Sequence, residues 1–160
     1  MNLFNKTSIL FVCLGNICRS PAAEGILKQK VKEQGLNENI FIDSAGIGSW
    51  HVGQLPDSRM RRCGKENGYD FSSFARQFTK KDFERFDYII VMDEDNYADV
   101  QSRCPNKSLM SKVHYIREFF DKYKNQSIVP DPYYGDYSDF QFAIDLLEDA
   151  CQTILNKIIK

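Results

Sequence analysis

The chain has 160 residues, of which 42% are hydrophobic and 27% charged, with a formal net charge of −1. That length holds one core and no second one, the composition excludes a disordered or fibrous chain, and the charge removes any electrostatic case for nucleic acid or an acidic membrane surface. Five cysteines, an odd number in a chain too large to need staples, exclude a disulfide scaffold and point to free thiols in a reducing compartment, the cytoplasm.

Residues 8–13 read as a buried apolar strand, followed by a loop and a helix over roughly 21–34 that ends near Gly35. Ile40-Phe41-Ile42-Asp43 reads as a second short strand, and Gly46 to Pro56 as a loop that carries the one tryptophan, Trp50. A helix is expected from Asp57 to Asn67, stopped by Gly68; its basic cluster Arg59, Arg61, Arg62 and Lys65 reads as a solvated face. Thr79 is expected to cap a short helix, Tyr88-Ile89-Ile90-Val91-Met92 to form a third strand, and 93–103 another helix. A fourth strand is expected at 113–116, then loop over 121–137. A last helix should open on a capping box of Ser138 and Gln141 and bury the stripe Phe140, Ile144, Leu147, Cys151, Ile154 and Ile158.

Strands alternating with helices, with near-continuous apolar strands, specify a parallel sheet covered on both faces. The expected architecture is therefore α/β: a single domain over residues 1–160, a three-layer αβα arrangement around a twisted four-stranded parallel sheet. No run is long enough to cross a membrane. Among the cysteines, His51 and His114 no spacing matches a zinc site, so neither metal nor cofactor is expected.

The chemistry concentrates in Cys13-Leu14-Gly15-Asn16-Ile17-Cys18-Arg19-Ser20, between the first strand and the first helix. A loop wrapped into a helix N-terminus gathers backbone N–H groups and the positive end of the helix dipole, which binds phosphate and favours a thiolate placed there. Arg19 can grip two phosphate oxygens with its planar fork. Gly15 supplies backbone freedom, Asn16 tolerates a left-handed conformation, and Ser20 is placed to cap a helix whose first position is Pro21. A C-x5-R pattern by itself is a weak signal; strand, loop, cap and helix in this order strengthen it. A second motif, Asp131-Pro132-Tyr133-Tyr134-Gly135-Asp136, offers the carboxylate that phosphoryl transfer to sulfur needs, first as acid for the leaving group and then as base for water. Tyr133 and Tyr134 could wall an aromatic pocket.

Along nearly its whole length the chain resembles the low-molecular-weight protein tyrosine phosphatases. The resemblance runs from Ile9–Pro21 through Asp43-Ser44-Ala45-Gly46, Ala75-Arg76-Gln77, Phe86-Asp87-Tyr88-Ile89 and Met92-Asp93 to Asp131–Gly135. It implies that Cys13 is the nucleophile, Arg19 the phosphate clamp and Asp131 the general acid and base, with Asn16, Ser20 and Ser44 holding the loop. It implies a substrate pocket of Leu14, Trp50, Tyr133 and Tyr134 that suits phosphotyrosine in a protein substrate; inorganic phosphate is expected as product and inhibitor, and a monomer as the working unit. Where many members of that family carry a histidine that buttresses the loop asparagine, this chain has Ser73. Cys18 either fills space or captures an oxidised Cys13 as a disulfide, and the second reading is preferred. Arsenate reductase, protein arginine phosphatase and a silent phosphotyrosine-binding module are the alternatives. The first would need further cysteines in relay, and Cys63, Cys104 and Cys151 show no paired spacing; the second has a threonine where this chain has Ile17; the third would have no use for Asp131.

Overall fold

The apolar runs near the N-terminus and around residue 90 pair side by side as the centre of one sheet, and everything else is hung on them. A computed structural model describes residues 6–159. Its four strands are β1 (Thr7–Cys13), β2 (Ile40–Gly46), β3 (Tyr88–Val91) and β4 (Val113–Tyr115), all parallel in the order β2-β1-β3-β4. The helices are α1 (Arg19–Glu33), α2 (Ser58–Glu66), α3 (Asp82–Arg85), α4 (Glu94–Ser102) and α5 (Tyr137–Ile154).

Because side chains alternate along a strand, β1 feeds two cores. Ile9, Phe11 and Cys13 face a core built with α1, α2 and α5, while Leu10 and Val12 face one built with α3 and α4. Helices cover both faces, as the unbroken apolar strands predict. The last helix buries Phe140, Ile144, Leu147, Cys151 and Ile154; Ile158 lies beyond it in a wider π-type turn, Leu155–Ile159, packed against the same core.

Several element ends differ from the sequence expectation, each for a local reason. The second strand runs on through Asp43 and Ser44 to Gly46, because its partner register continues to Cys13 opposite Gly46. Helix α1 opens at Arg19 rather than at Pro21, and Ser20 does not cap it: the Ser20 hydroxyl turns to Cys13 instead. Thr79 contributes its backbone N–H, held by Asp82 Oδ2 at 2.9 Å, and α3 starts at Asp82. The capping box of α5 is Asp136 with Asp139, not Ser138 with Gln141. Asp136 Oδ1 accepts from the Ser138 N–H at 3.0 Å, and Asp139 Oδ2 reaches back to the Asp136 N–H at 2.9 Å. Two carboxylates in the first turn also suit the positive end of the helix. Gln141 pairs with Asn67 across to α2.

One glycine is required by contact. At the end of β2, a Cβ on Gly46 would lie 2.9 Å from the Gly15 carbonyl carbon and 3.0 Å from the Asn16 nitrogen. Gly46 also bonds both ways with the following segment, its N–H to Arg76 O at 2.9 Å and its carbonyl to the Phe78 N–H at 2.7 Å. It therefore lets a third backbone approach the loop. Gly46→Ala forces rigid backbone apart and should cost about 1–3 kcal/mol, read as a lower urea midpoint with an unchanged m-value.

Candidate active site

The nucleophile candidate ends β1, and the clamp candidate opens α1, so the loop between them sits at the carboxyl edge of the sheet, beside the point where strand order reverses. Cys13 and Arg19 are 3% and 2% exposed. The loop's one left-handed residue is Asn16, with φ 59°; Gly15 does not adopt that conformation, so its backbone freedom is not what shapes the turn.

Asn16 is tied on both polar atoms of its side chain. Its Oδ1 accepts the Arg76 N–H at 3.0 Å. Its Nδ2 donates to Ser20 Oγ at 2.7 Å and to Ser44 Oγ at 3.0 Å. A backbone N–H can only donate, so the amide oxygen must face Arg76 and both amide hydrogens must face the hydroxyls. The Ser20 oxygen thus receives a hydrogen bond, and its own proton is free for Cys13 Sγ, 3.0 Å away, which is nearer than Ala45 O at 3.5 Å. Ser44 was expected in this support, and it stands there. Ser73 does not brace Asn16; that task falls to Arg76, whose guanidinium is fixed by Asp43 at 2.9 Å and Asp82 at 3.0 Å.

Arg19 is anchored from behind. Its Nη1 donates to Asp93 Oδ2 at 2.6 Å and to the Val129 carbonyl at 3.0 Å, leaving the Nε–Nη2 edge for a phosphate. Burial works against its charge, but Cys13, Asp93 and Asp131 outweigh burial and hold the guanidinium above its ordinary range. Asp93 carried no assigned role in the sequence. It follows β3 by two residues and caps α4, accepting the Asn96 N–H at 2.8 Å with Oδ1, which leaves Oδ2 for Arg19. An aspartate between an apolar strand and a helix was the available signal.

Asp131 faces the loop from the opposite side, its Oδ2 3.7 Å from Arg19 Nη2 and its side chain 39% exposed. Its Oδ1 accepts the Tyr133 N–H at 3.1 Å, an Asx turn that orients the carboxylate. Cys13, Leu14, Gly15, Ile17, Cys18, Arg19, Trp50, His51, Asp131, Tyr133 and Tyr134 line one cavity of about 320 Å³. The expected site residues thus meet, apart from the buried supports Asn16, Ser20 and Ser44 behind the loop. Tyr134 is 95% exposed and Trp50 67%, so both stand at the rim rather than in the wall. Arg59 is more than a solvated charge: it pairs with Asp57 at 2.8 Å and its guanidinium lies over Tyr133 and Phe140, 5.3 and 4.8 Å from their ring centres. His51 was not expected in the cavity; its Nδ1 is tied to Gln54 Oε1 at 3.0 Å, beside Gly15. Cys63 and Cys151 are buried away from the cavity, against Gln141 and the Ala23 carbonyl.

A buried thiol at the foot of a strand-to-helix loop, with a buried arginine beside it and a carboxylate facing it, is an arrangement that can hold an anion such as phosphate. Residues 8–160 match the low molecular weight phosphotyrosine protein phosphatase family, and the chain belongs to it. The human low molecular weight phosphotyrosine protein phosphatase is 42% identical over 151 residues, covering 94% of each chain. A protein tyrosine phosphatase from Entamoeba histolytica superposes with a TM-score of 0.92 at 46% identity, covering 96% of this chain and 97% of the other. A Drosophila arginine phosphatase shares the fold with a TM-score of 0.85 at 32% identity, covering 92% and 95%. The protein is a hydrolase of this phosphatase family.

Asp93→Asn keeps a good helix cap but loses the charge behind Arg19. Hydrogen bonds to charged groups contribute roughly 1.5–3 kcal/mol, so the inhibition constant for inorganic phosphate should rise about tenfold or more, while the melting temperature moves little. Competitive inhibition of aryl phosphate hydrolysis measures it.

Proposed function

We propose that this enzyme hydrolyses phosphotyrosine in proteins, and small aryl phosphates, through a cysteinyl-phosphate intermediate on Cys13. The observation that carries the reading is the Asn16–Ser20–Cys13 chain of hydrogen bonds, which aims a hydroxyl proton at the sulfur. That bond favours the thiolate and eases its later departure from phosphorus.

In the first step the Cys13 thiolate attacks phosphorus in line. Arg19 and the N–H groups at the start of α1 take the equatorial oxygens, whose charge grows in the transition state. The phosphorus–oxygen bond of the ester breaks, and Asp131 gives its proton to the departing phenolate. In the second step Asp131, now a carboxylate, removes a proton from water. The water oxygen bonds to phosphorus, the sulfur–phosphorus bond breaks, and inorganic phosphate leaves. Loop, helix and arginine supply the positive charge, so these steps need no further group.

Substrate choice follows from the cavity. Leu14, Ile17 and Tyr133 offer an apolar passage above a buried phosphate site, and an aryl ring can fill it. Phosphoarginine is the second reading, because the Drosophila arginine phosphatase shares the fold at 32% identity. All of these site residues come from a single chain, so a monomer suffices. Five unpaired thiols suit the cytoplasm.

Cys18 lines the same cavity. Burial, helped by Asp57 and Cys13, pushes its thiol up, so it stays protonated and does not compete for phosphorus. Its part is protection. Peroxide oxidises Cys13 to a sulfenic acid, Cys18 displaces the hydroxyl, water leaves and a disulfide forms that a thiol can reduce.

Two experiments test these readings. With para-nitrophenyl phosphate in EDTA at mildly acidic pH, wild type should turn over and Cys13→Ser should not. Asp131→Asn should fall most on leaving groups of high pKa, and phosphotyrosyl peptides should be cleaved well ahead of phosphoseryl and phosphoarginyl ones. Comparable rates on all three would refute the aryl preference. After brief peroxide treatment, reductant should restore wild type but not Cys18→Ser; equal recovery would remove the protective role.

A further inference from the structure

Behind the phosphate-binding loop, the hydrogen-bond chain does not stop at Ser44. Ser44 Oγ receives Asn16 Nδ2 and donates its own proton to Glu24 Oε1 at 2.6 Å. Glu24 lies in α1, is 3% exposed, and its other oxygen takes Lys28 Nζ at 2.5 Å, one turn further along the helix. Beyond it is a cavity of about 110 Å³ bordered by Asp70, Ser72 and Ser73, in which Lys28 is the cation. A buried carboxylate this far from the substrate needs a reason, because burial without one is costly.

We propose that Glu24 and Lys28 are positioning residues that set the direction of every proton between them and the Cys13 sulfur. The proposal rests on Cys13 acting as a thiolate nucleophile. An ionised carboxylate only accepts, so Ser44 must point its proton at Glu24 and offer Asn16 a lone pair. Asn16 then has to present both amide hydrogens to the two serines. Ser20, receiving one of them, has its proton left for the sulfur. Lys28 donates to the other carboxylate oxygen, so both oxygens of Glu24 serve as acceptors.

Losing the carboxylate opens a second arrangement. Ser44, without its acceptor, can donate to the amide oxygen of Asn16 once that amide rotates by half a turn. Ser20 then donates to the same oxygen and shows the sulfur a lone pair. Only the Arg76 N–H, which would face an amide N–H, still opposes the rotation. Two ends hold the chain's polarity, and Glu24 is the one that is a side chain and can be changed.

This makes a sign prediction that charge alone does not. Removing a negative charge favours a nearby thiolate by Coulomb's law. Losing the Ser20 donor disfavours it. The experiment follows the rate of Cys13 alkylation by iodoacetamide against pH, with the Cys13 peptide quantified by mass spectrometry. It needs no turnover, so a failure here is distinct from a failure of the assigned mechanism, which the para-nitrophenyl phosphate assay reads.

Glu24→Ala should move the half-maximal pH up, by about one unit for a lost hydrogen bond to a charged group. Glu24→Gln, which keeps the shape, should move it in the same direction. Lys28 reaches the surface, its side chain 53% exposed, so Lys28→Met is not expected to disturb folding. It should raise the midpoint, and Lys28→Arg should restore it. The Glu24→Ala/Lys28→Met double variant should match Glu24→Ala alone, because Lys28 acts only through Glu24. A midpoint that falls in Glu24→Ala or Glu24→Gln, or a double variant that returns to the wild-type value because two independent charges cancel, overturns the proposal.

Discussion

The active site depends on one asparagine whose amide is pinned from three directions. Asn16 is left-handed, a conformation asparagine tolerates better than most residues, and three hydrogen bonds at its amide fix it there. The curl of the loop, the direction of the Ser20 hydroxyl and the attachment of α1 to β2 all follow from where that amide is pinned. The pinning in turn requires the Arg76 backbone to reach the loop, and Gly46 has no side chain to prevent it. Loop shape and sulfur chemistry are therefore one problem, solved by one side chain and its partners.

Much of this was legible before any coordinate was known. Apolar strands are short-range signals: the sheet and its two covered faces follow from near-continuous apolar runs alternating with helices, and the stripe on α5 from spacings of three and four. The loop was legible because its parts are adjacent in sequence. What escaped is what depends on distant partners. Ser20 reads as a helix cap from its neighbours, yet three dimensions supply a sulfur and an amide that claim it. Gly15 reads as the flexible residue of the loop, while the glycine that matters is Gly46, thirty residues away and needed for a contact rather than for a torsion angle. Asp93 reads only as the start of a helix; that it caps α4 with one oxygen and holds Arg19 with the other becomes visible only when β1 and β3 are paired. Arg59 reads as a surface charge because nothing local places it over Tyr133. The box at the start of α5 was missed by two residues, Asp136 for Ser138, because both residue types cap equally well on local grounds.

The two sides of the cavity differ in rigidity, and the difference matches their tasks. Cys13 and Arg19 are buried and tied between them to Ser20, Asp93 and the Val129 carbonyl, so the groups proposed to receive a phosphate are arranged in advance. Electrostatic stabilisation of this kind works because it need not be reorganised during the reaction. Asp131 sits on a more exposed segment between Pro130 and Pro132, with one oxygen occupied by the Tyr133 N–H. That leaves Oδ2, the oxygen nearer Arg19, free of a backbone partner beside the cavity. A single oxygen directed at the cavity is what a group needs if it is to give a proton to one ligand and later take one from another at the same place. The flanking prolines limit the backbone on either side while the outer edge remains open to water. The first proposed step needs a closed anion site and the second needs water beside an aspartate, and the fold offers a place for each, with Cys13 built into the sheet edge and Asp131 into a braced loop above it.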